Sequence, residues 1–212
     1  GYTADKPQVE VVTVTSETPD AVVEIHYTAN PQTTEVVYVD HSDHEKVVKT
    51  VEVKGTTGST NPVPAEGQKI PAGYELVPGE TVPTSITFKN DGSQTPATKV
   101  ELQHQTVKVT PASPKTTEDK LPDNPTINYP EGVGEKDLTK VITRTIKVHN
   151  PAGGVETTTQ TVKLTRSATV DEVTGKVINY TAWTTGNWEA FTAPVIFGYT
   201  PDNLRIPAVV VT

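Results

Sequence analysis

Cysteine and methionine are both absent from the 212 residues. No disulfide, cysteine-ligated zinc or thiol nucleophile is therefore available, and the fold must be held by packing and strand ladders alone. Aromatic residues make up only 6% and hydrophobic residues 33% of the chain. That is little for one large globule, but it suits two thin β modules with a high surface-to-volume ratio. No apolar run approaches the roughly 18 residues of a membrane span, and no signal peptide opens the chain. Positive charge is the minority: 18 Lys and Arg stand against 26 Asp and Glu, a net charge of −8, with no basic run. Nucleic acid and membrane insertion are thereby excluded as expectations. The lack of methionine fits a segment from inside a longer protein, with any signal peptide or anchor outside it.

What is present is Val- and Thr-rich strand material. TTEVVYVD, the polar turn HSDHEK and VVKTVEVKG form a hairpin pattern, and SITFKNDG and GYELV are shorter runs. ATKVELQHQTVKV reads as a long closing strand, and VEVVTVT near the start alternates as a half-buried strand does. The segments LTKVITRTIKVHN and VETTTQTVKLTRS are two long strands joined by Pro151-Ala152-Gly153-Gly154, a hairpin signal. DEVTGKVINYTAW adds a strand beyond an Asp/Gly turn, and RIPAVVVT closes the chain. No segment keeps a helical period over more than about ten residues. Prolines 111, 114, 122, 125 and 130 deny residues 111–136 ladder donors and predict an extended connector.

The first and last residues match without a gap. Gly1, Tyr2, Thr3, Asp5, Val12, Val14 and Thr15 recur as Gly198, Tyr199, Thr200, Asp202, Val209, Val211 and Thr212, each 197 positions later. Such self-similarity predicts one period of a tandem array, with the opening residues equivalent to the tail of a preceding copy.

Both tryptophans lie in YTAWTTGNWEAFTAPVIFGY, residues 180–199. Because aromatics bury the most area per residue, this stretch is the expected centre of the C-terminal core. The competing reading is a binding surface. Trp183, Thr184, Asn187, Trp188, Glu189 and Tyr199 combine aromatic faces with amide, hydroxyl and carboxylate groups, the mixture that sugar sites use. In VDHSDHE, the residues Asp40, Asp43 and Glu45 are candidate Ca²⁺ ligands, with Asp5, Asp171, Glu172 and Asp202 scattered in other turns. None has EF-hand spacing, and a solvated hairpin turn accounts for the cluster without an ion. The paired His41 and His44 in the same turn are of a type that holds transition metals, but they match no known site spacing. No nucleophile motif is present, so an enzyme is not expected, and no cofactor other than calcium is expected.

In combination, TTEVVYVD, VKTVEVKG, GYELV, TFKNDG and KVELQHQTVKV resemble the mucus-binding (MucBP) module of lactobacillar surface proteins. ITRTIKVHNPAGG, QTVKLTRSATVDEVTGKV and GYTPD resemble the larger second module of the same repeat. The resemblance implies a mainly β chain of two elongated, β-grasp-like (ubiquitin-like) modules with little helix. Pro62, Pro64, Gly67 and Pro71 stand where a β-grasp helix would lie. The implied partners are mucin glycans and glycoproteins, immunoglobulins in some members, and neighbouring repeats. The implied location is a Gram-positive cell wall outside the cell. The expected division is a tail equivalent at 1–30 packing on the first module, a first module at 31–110, the connector at 111–136 and the second module at 137–212.

Overall fold

The computed structural model describes all 212 residues, which form two units, Gly1–His104 and Gln105–Thr212. Strands are the main regular structure of both, with long irregular segments between them. No helix is long and apolar enough to cross a membrane.

The first unit contains β1 (Tyr2–Ala4), β2 (Tyr27–Ala29), β3 (Pro31–Asp40), β4 (Lys46–Thr56), β5 (Thr60–Pro62), β6 (Tyr74–Leu76), β7 (Ser85–Thr87) and β8 (Thr98–His104). The hairpin read from TTEVVYVD and VKTVEVKG is present: β3 pairs antiparallel with β4, from Pro31↔Thr56 to Asp40↔Lys46. Its polar turn places His44 and Glu45 at φ 52° and 58°. On β3 the Val/Thr alternation turns Thr34, Val36 and Tyr38 inward, and a bulge after Tyr38 brings Val39 and Asp40 inward as well. β8 runs parallel to β3 and antiparallel to β6, so the sheet order is β4-β3-β8-β6. A single cluster of Val36, Tyr38, Val53, Val63, Ile86, Phe88, Val100 and Leu102 fills one face.

The crossover between β4 and β8 carries no α-helix. Prolines leave only one 3₁₀ turn, Ala65–Gln68, entered from Pro64. Gly67 lets it lie on the sheet: an added Cβ would meet Val51 Cγ1 at 2.5 Å. The Gly67 carbonyl accepts the Tyr38 hydroxyl at 2.6 Å inside the core.

The second unit contains β9 (Thr106–Val109), α1 (Glu135–Leu138), β10 (Thr139–His149), β11 (Val155–Thr165), β12 (Ala168–Asp171), β13 (Lys176–Tyr180), β14 (Gly186–Trp188), β15 (Phe191–Thr192), β16 (Arg205–Ile206) and β17 (Val209–Val211). The hairpin predicted at Pro151–Gly154 joins β10 and β11 in unbroken register from Thr139↔Thr165 to His149↔Val155. Gly153 and Gly154 supply the positive φ of its turn. A three-stranded sheet, β13-β12-β9, stands separately, and β14–β17 and β15–β16 are short antiparallel pairs.

Four expectations need correction. ATKVELQHQTVKV is not one strand: β8 and β9 are separated by Gln105 and belong to different units, which moves the boundary from 110 to 104. Residues 111–136 are not a connector. Leu121, Tyr129 and Val133 are buried there with Val109, Leu138, Ala168 and Val170 in the main core of the second unit. Prolines bar this segment from a ladder, yet the apolar residues between them still bury, and buried Glu172 pins it by accepting the Asp123 amide at 2.8 Å. The aromatic stretch is correspondingly not the centre of that core. Trp183 and Trp188 flank a smaller cluster of Val162, Leu164 and Val211, while Phe197 is 99% exposed. Lastly, VEVVTVT forms no strand and Val11, Val12 and Val14 are exposed. Only Tyr2–Ala4 and Tyr27–Ala29 of residues 1–30 pair, with each other.

Candidate functional site

A groove of about 490 Å³ opens on the second unit. One wall is the end of β10, with Ile146, Val148 and His149; the other comprises Phe191 of β15, Ile206 of β16 and the loop between them. The loop is tied at its neck by the β15–β16 pair and by the Ala193 amide, which donates to the Leu204 carbonyl at 2.9 Å. At its tip Gly198, at φ 84°, turns the chain, and the Tyr199 amide donates to Ile196 O at 3.0 Å. With backbone groups satisfied this way, the apolar side chains have no interior to enter, and Val195, Phe197, Tyr199 and Leu204 stand out in solvent. Tyr199, Thr200, Asp202, Asn203, Lys147 and His149 bring polar groups to the same groove. An open cleft with an aromatic face and converging hydroxyl, amide and carboxylate groups suits a polyhydroxylated ligand.

Of the six binding residues chosen from the sequence, Tyr199 alone lines this groove. The others are brought together elsewhere, in β14 and its approach, and most of their groups are engaged in the fold. Trp188 is half-buried on β14, and the Arg144 guanidinium lies 5.4 Å from its ring centre. Trp183 is likewise covered by Arg166 at 4.7 Å, which also stacks on Tyr180 at 3.9 Å. The Thr184 hydroxyl accepts the Thr165 amide at 2.9 Å, extending β11. Asn187 faces solvent opposite Val210. The Glu189 carbonyl accepts from Arg144 at 2.6 Å and from Gln160 at 3.0 Å, leaving its side chain exposed. Gly186 is small because a Cβ there would run into Val162. The GNW of this stretch is thus a strand, paired with β17 and lying with Gly186 against Val162 of β11.

Arg144 was not singled out from the sequence, although its position should have been legible. It is the one charged residue among the inward positions Ile142, Arg144, Ile146 and Val148 of an alternating strand. Its guanidinium donates to Gln160 Oε1 at 2.6 and 3.1 Å, to Glu189 O and to Pro207 O at 3.1 Å, joining β10, β11, β14 and the segment before β17.

The acidic residues considered for calcium do not converge, and no group of three metal-binding side chains forms. Asp40 is buried at the end of β3, where it accepts from Ser42 N at 2.8 Å and Tyr74 Oη at 3.2 Å and lies 2.7 Å from His104 Nε2. Burial pushes its pKa up, but the His104, Ser42 and Tyr74 hydrogen bonds prevail and hold it below the ordinary value. Asp43 faces Lys46 and His44 at 3.6 and 3.7 Å, and Glu45 faces Lys99 at 2.8 Å. Asp5 accepts the His26 amide, Asp202 accepts the Asn203 amide, and Asp171 accepts the Val173 and Thr174 amides. Glu172 is 1% exposed, and burial, reinforced by the charge of Asp123, raises its pKa despite amide donors from Asp123 and Asn124.

Residues 32–104 match the family model of the mucin binding domain, and residues 133–212 match that of the Muc B2-like domain. Among solved structures, Mub-RV is 24% identical, with a TM-score of 0.53 over 85% of this chain and 91% of that one. A type 2 repeat of the mucus binding protein MUB from Lactobacillus reuteri is 23% identical over 85% and 90% of the chains, with a TM-score of 0.40. A mucin-binding domain from Streptococcus pneumoniae is 34% identical over 35% of this chain and 81% of its own, with a TM-score of 0.28. No curated protein matches the chain.

Proposed function

Because the chain belongs to the mucus-binding repeats, as a mucin binding domain followed by a Muc B2-like domain, we propose that it is an adhesive unit of a bacterial surface protein that binds mucin glycoproteins. The role is binding without catalysis, outside the cell, and each contact is weak. Adhesion gains strength from many copies in series, because linked sites raise avidity without any single tight one. The observation that carries this reading is the open groove of the second unit. Tyr199 lines it beside Asp202 and Asn203, and Phe197 stands exposed two residues before Tyr199 in the same loop.

The chain is expected to bind immobilised intact mucin and to lose that binding after periodate oxidation of the glycans. Tyr199→Ala and Phe197→Ala, both at exposed positions, are expected to weaken binding while leaving the thermal transition in place. Unchanged binding by both variants would remove the groove from consideration.

A second reading rests on a different observation. β10 and β11 form a two-stranded sheet eleven residues long, so each has only one ladder partner. A host protein such as an immunoglobulin could add a strand to such an edge through backbone hydrogen bonds. Binding by that mode would survive removal of glycans.

A further inference from the structure

Residues 9–15 and 206–212 carry the same pattern 197 positions apart, yet the structure treats them in opposite ways. In the second unit, β17 pairs antiparallel with β14 in the register Gly186↔Val211, Asn187↔Val210 and Trp188↔Val209. Val211 is 7% exposed and packs with Val162, Leu164, Trp183 and Trp188. Its counterpart Val14 is 76% exposed and belongs to no strand, and Val12, the counterpart of Val209, is 68% exposed. The difference lies in the partner. β17 has the strand Gly186–Trp188 beside it, and residues 9–15 have nothing equivalent.

Independently of which ligand the groove takes, we propose that residues Val9–Thr15 are a closing strand for the second unit of another copy of this repeat. The pairing follows the observed register: Val14 opposite Gly186, Thr13 opposite Asn187 and Val12 opposite Trp188 of that copy. The residue chemistry fits each position. Val14 is kept as valine at the buried position of Val211 and Val12 at the 42% exposed position of Val209, while Val210, 65% exposed, is replaced by the more soluble Thr13. Val9 stands for Ile206, a conservative change at the β16 position. An exposed segment with strand alternation is a template for pairing, and here the surface that accepts it is already specified by the same sequence. Adjacent copies would then share a sheet, so their junction is a folded interface in which one copy completes the other.

The test is a two-copy chain in which residues 1–197 run directly into a complete second chain, so that Gly1–Thr15 of the following copy replaces Gly198–Thr212 of the leading one. Asn187→Cys in the leading copy and Thr13→Cys in the following copy place two thiols opposite each other in a protein otherwise free of cysteine. Cross-strand neighbours lie within disulfide reach. The 13–187 disulfide is expected to form about tenfold faster than a control between Asn187→Cys and Val22→Cys, through its higher effective concentration. Tryptophan emission from the leading copy, with both tryptophans of the following copy replaced by phenylalanine, is expected to match that of the single chain. A 13–187 link no faster than the control overturns the proposal, as does unfolded-like emission from the leading copy while the following copy, bearing its own β17, stays folded by amide exchange. Neither readout involves mucin, so failure here leaves the adhesion reading standing, and failure of mucin binding leaves this one.

Discussion

The two units solve the same problem, a strand-rich fold with few large side chains, in different ways. The first gathers its apolar residues into one cluster on a four-stranded sheet with a parallel central pair. The second divides them. A main core forms between the β13-β12-β9 sheet and the proline-rich segment 111–136, and a smaller one forms under the long hairpin, with arginines bridging the gaps. A single cluster is expected to melt as one body. A divided core allows one part to loosen while the other holds, and the groove with its exposed loop belongs to the smaller part.

The largest effects should come from breaking the single core. Leu102 is fully buried, and Leu102→Ala is expected to destabilise the first unit by about 2–5 kcal/mol. Amide exchange at β3 and β8 should rise together. Tryptophan emission, which reports only the second unit, should not move at the same denaturant concentration.

Gly186→Ala sharpens the comparison from the other side. A methyl group pressed against Val162 is expected to cost about 1–3 kcal/mol. The loss should appear in exchange at β14 and β17 while β9 and β12 stay protected. Uniform loosening of the whole second unit would show that its two clusters act as one.

Titration separates the units by sign. The carboxyl of Asp40 has a lowered folded pKa, so its contribution is present above the ordinary value of 3.8 and is lost as pH falls through the lower folded value. Glu172 is raised, so its contribution is present below the ordinary value of 4.5 and is lost as pH rises through the higher folded value. On acidification from neutrality the second unit should gain stability before the first begins to lose it. Asp40→Asn should flatten the acid limb of the first unit, and Glu172→Gln should flatten the gain of the second. Denaturation midpoints of the two units from pH 3 to pH 7 check both.

The smallest change concerns Trp188. Its indole nitrogen is buried without a hydrogen-bond partner. Trp188→Phe removes that donor along with some packing, and the two are expected to offset to within about 1 kcal/mol in chemical denaturation. A similarly small effect on mucin adhesion would confirm that this ring serves the fold.

The regular parts of this structure were legible wherever local pattern and turn chemistry agree. TTEVVYVD and VKTVEVKG alternate around a polar turn, and the Pro151–Gly154 turn closes the second hairpin; both formed as read. Legibility failed where a residue's fate depends on distant partners. Residues 111–136 carry prolines that forbid a ladder, but nothing local says that Leu121 and Tyr129 will meet Val170. ATKVELQHQTVKV alternates without interruption, and only the tertiary fold assigns its halves to different units. At the candidate groove, aromatic content pointed to the same half of the chain, but of the six residues chosen only Tyr199 lines it. Trp183 and Trp188 looked like ligand platforms because sequence does not reveal the arginines that cover them. Phe197 looked like core because sequence does not reveal that its loop stands clear.

The parallel pairing of β3 with β8 also sets how the first unit bears a mechanical load. These strands lie side by side over the register Val36↔Thr98 to Asp40↔Leu102. Tension entering at the start of β3 and leaving at the end of β8 pulls along the strands in opposite directions. The ladder bonds between them are then loaded together in shear, whereas a hairpin pulled from its open end gives way one bond at a time. Under such tension the strand order gives the first unit resistance to extension that its few large side chains alone would not provide.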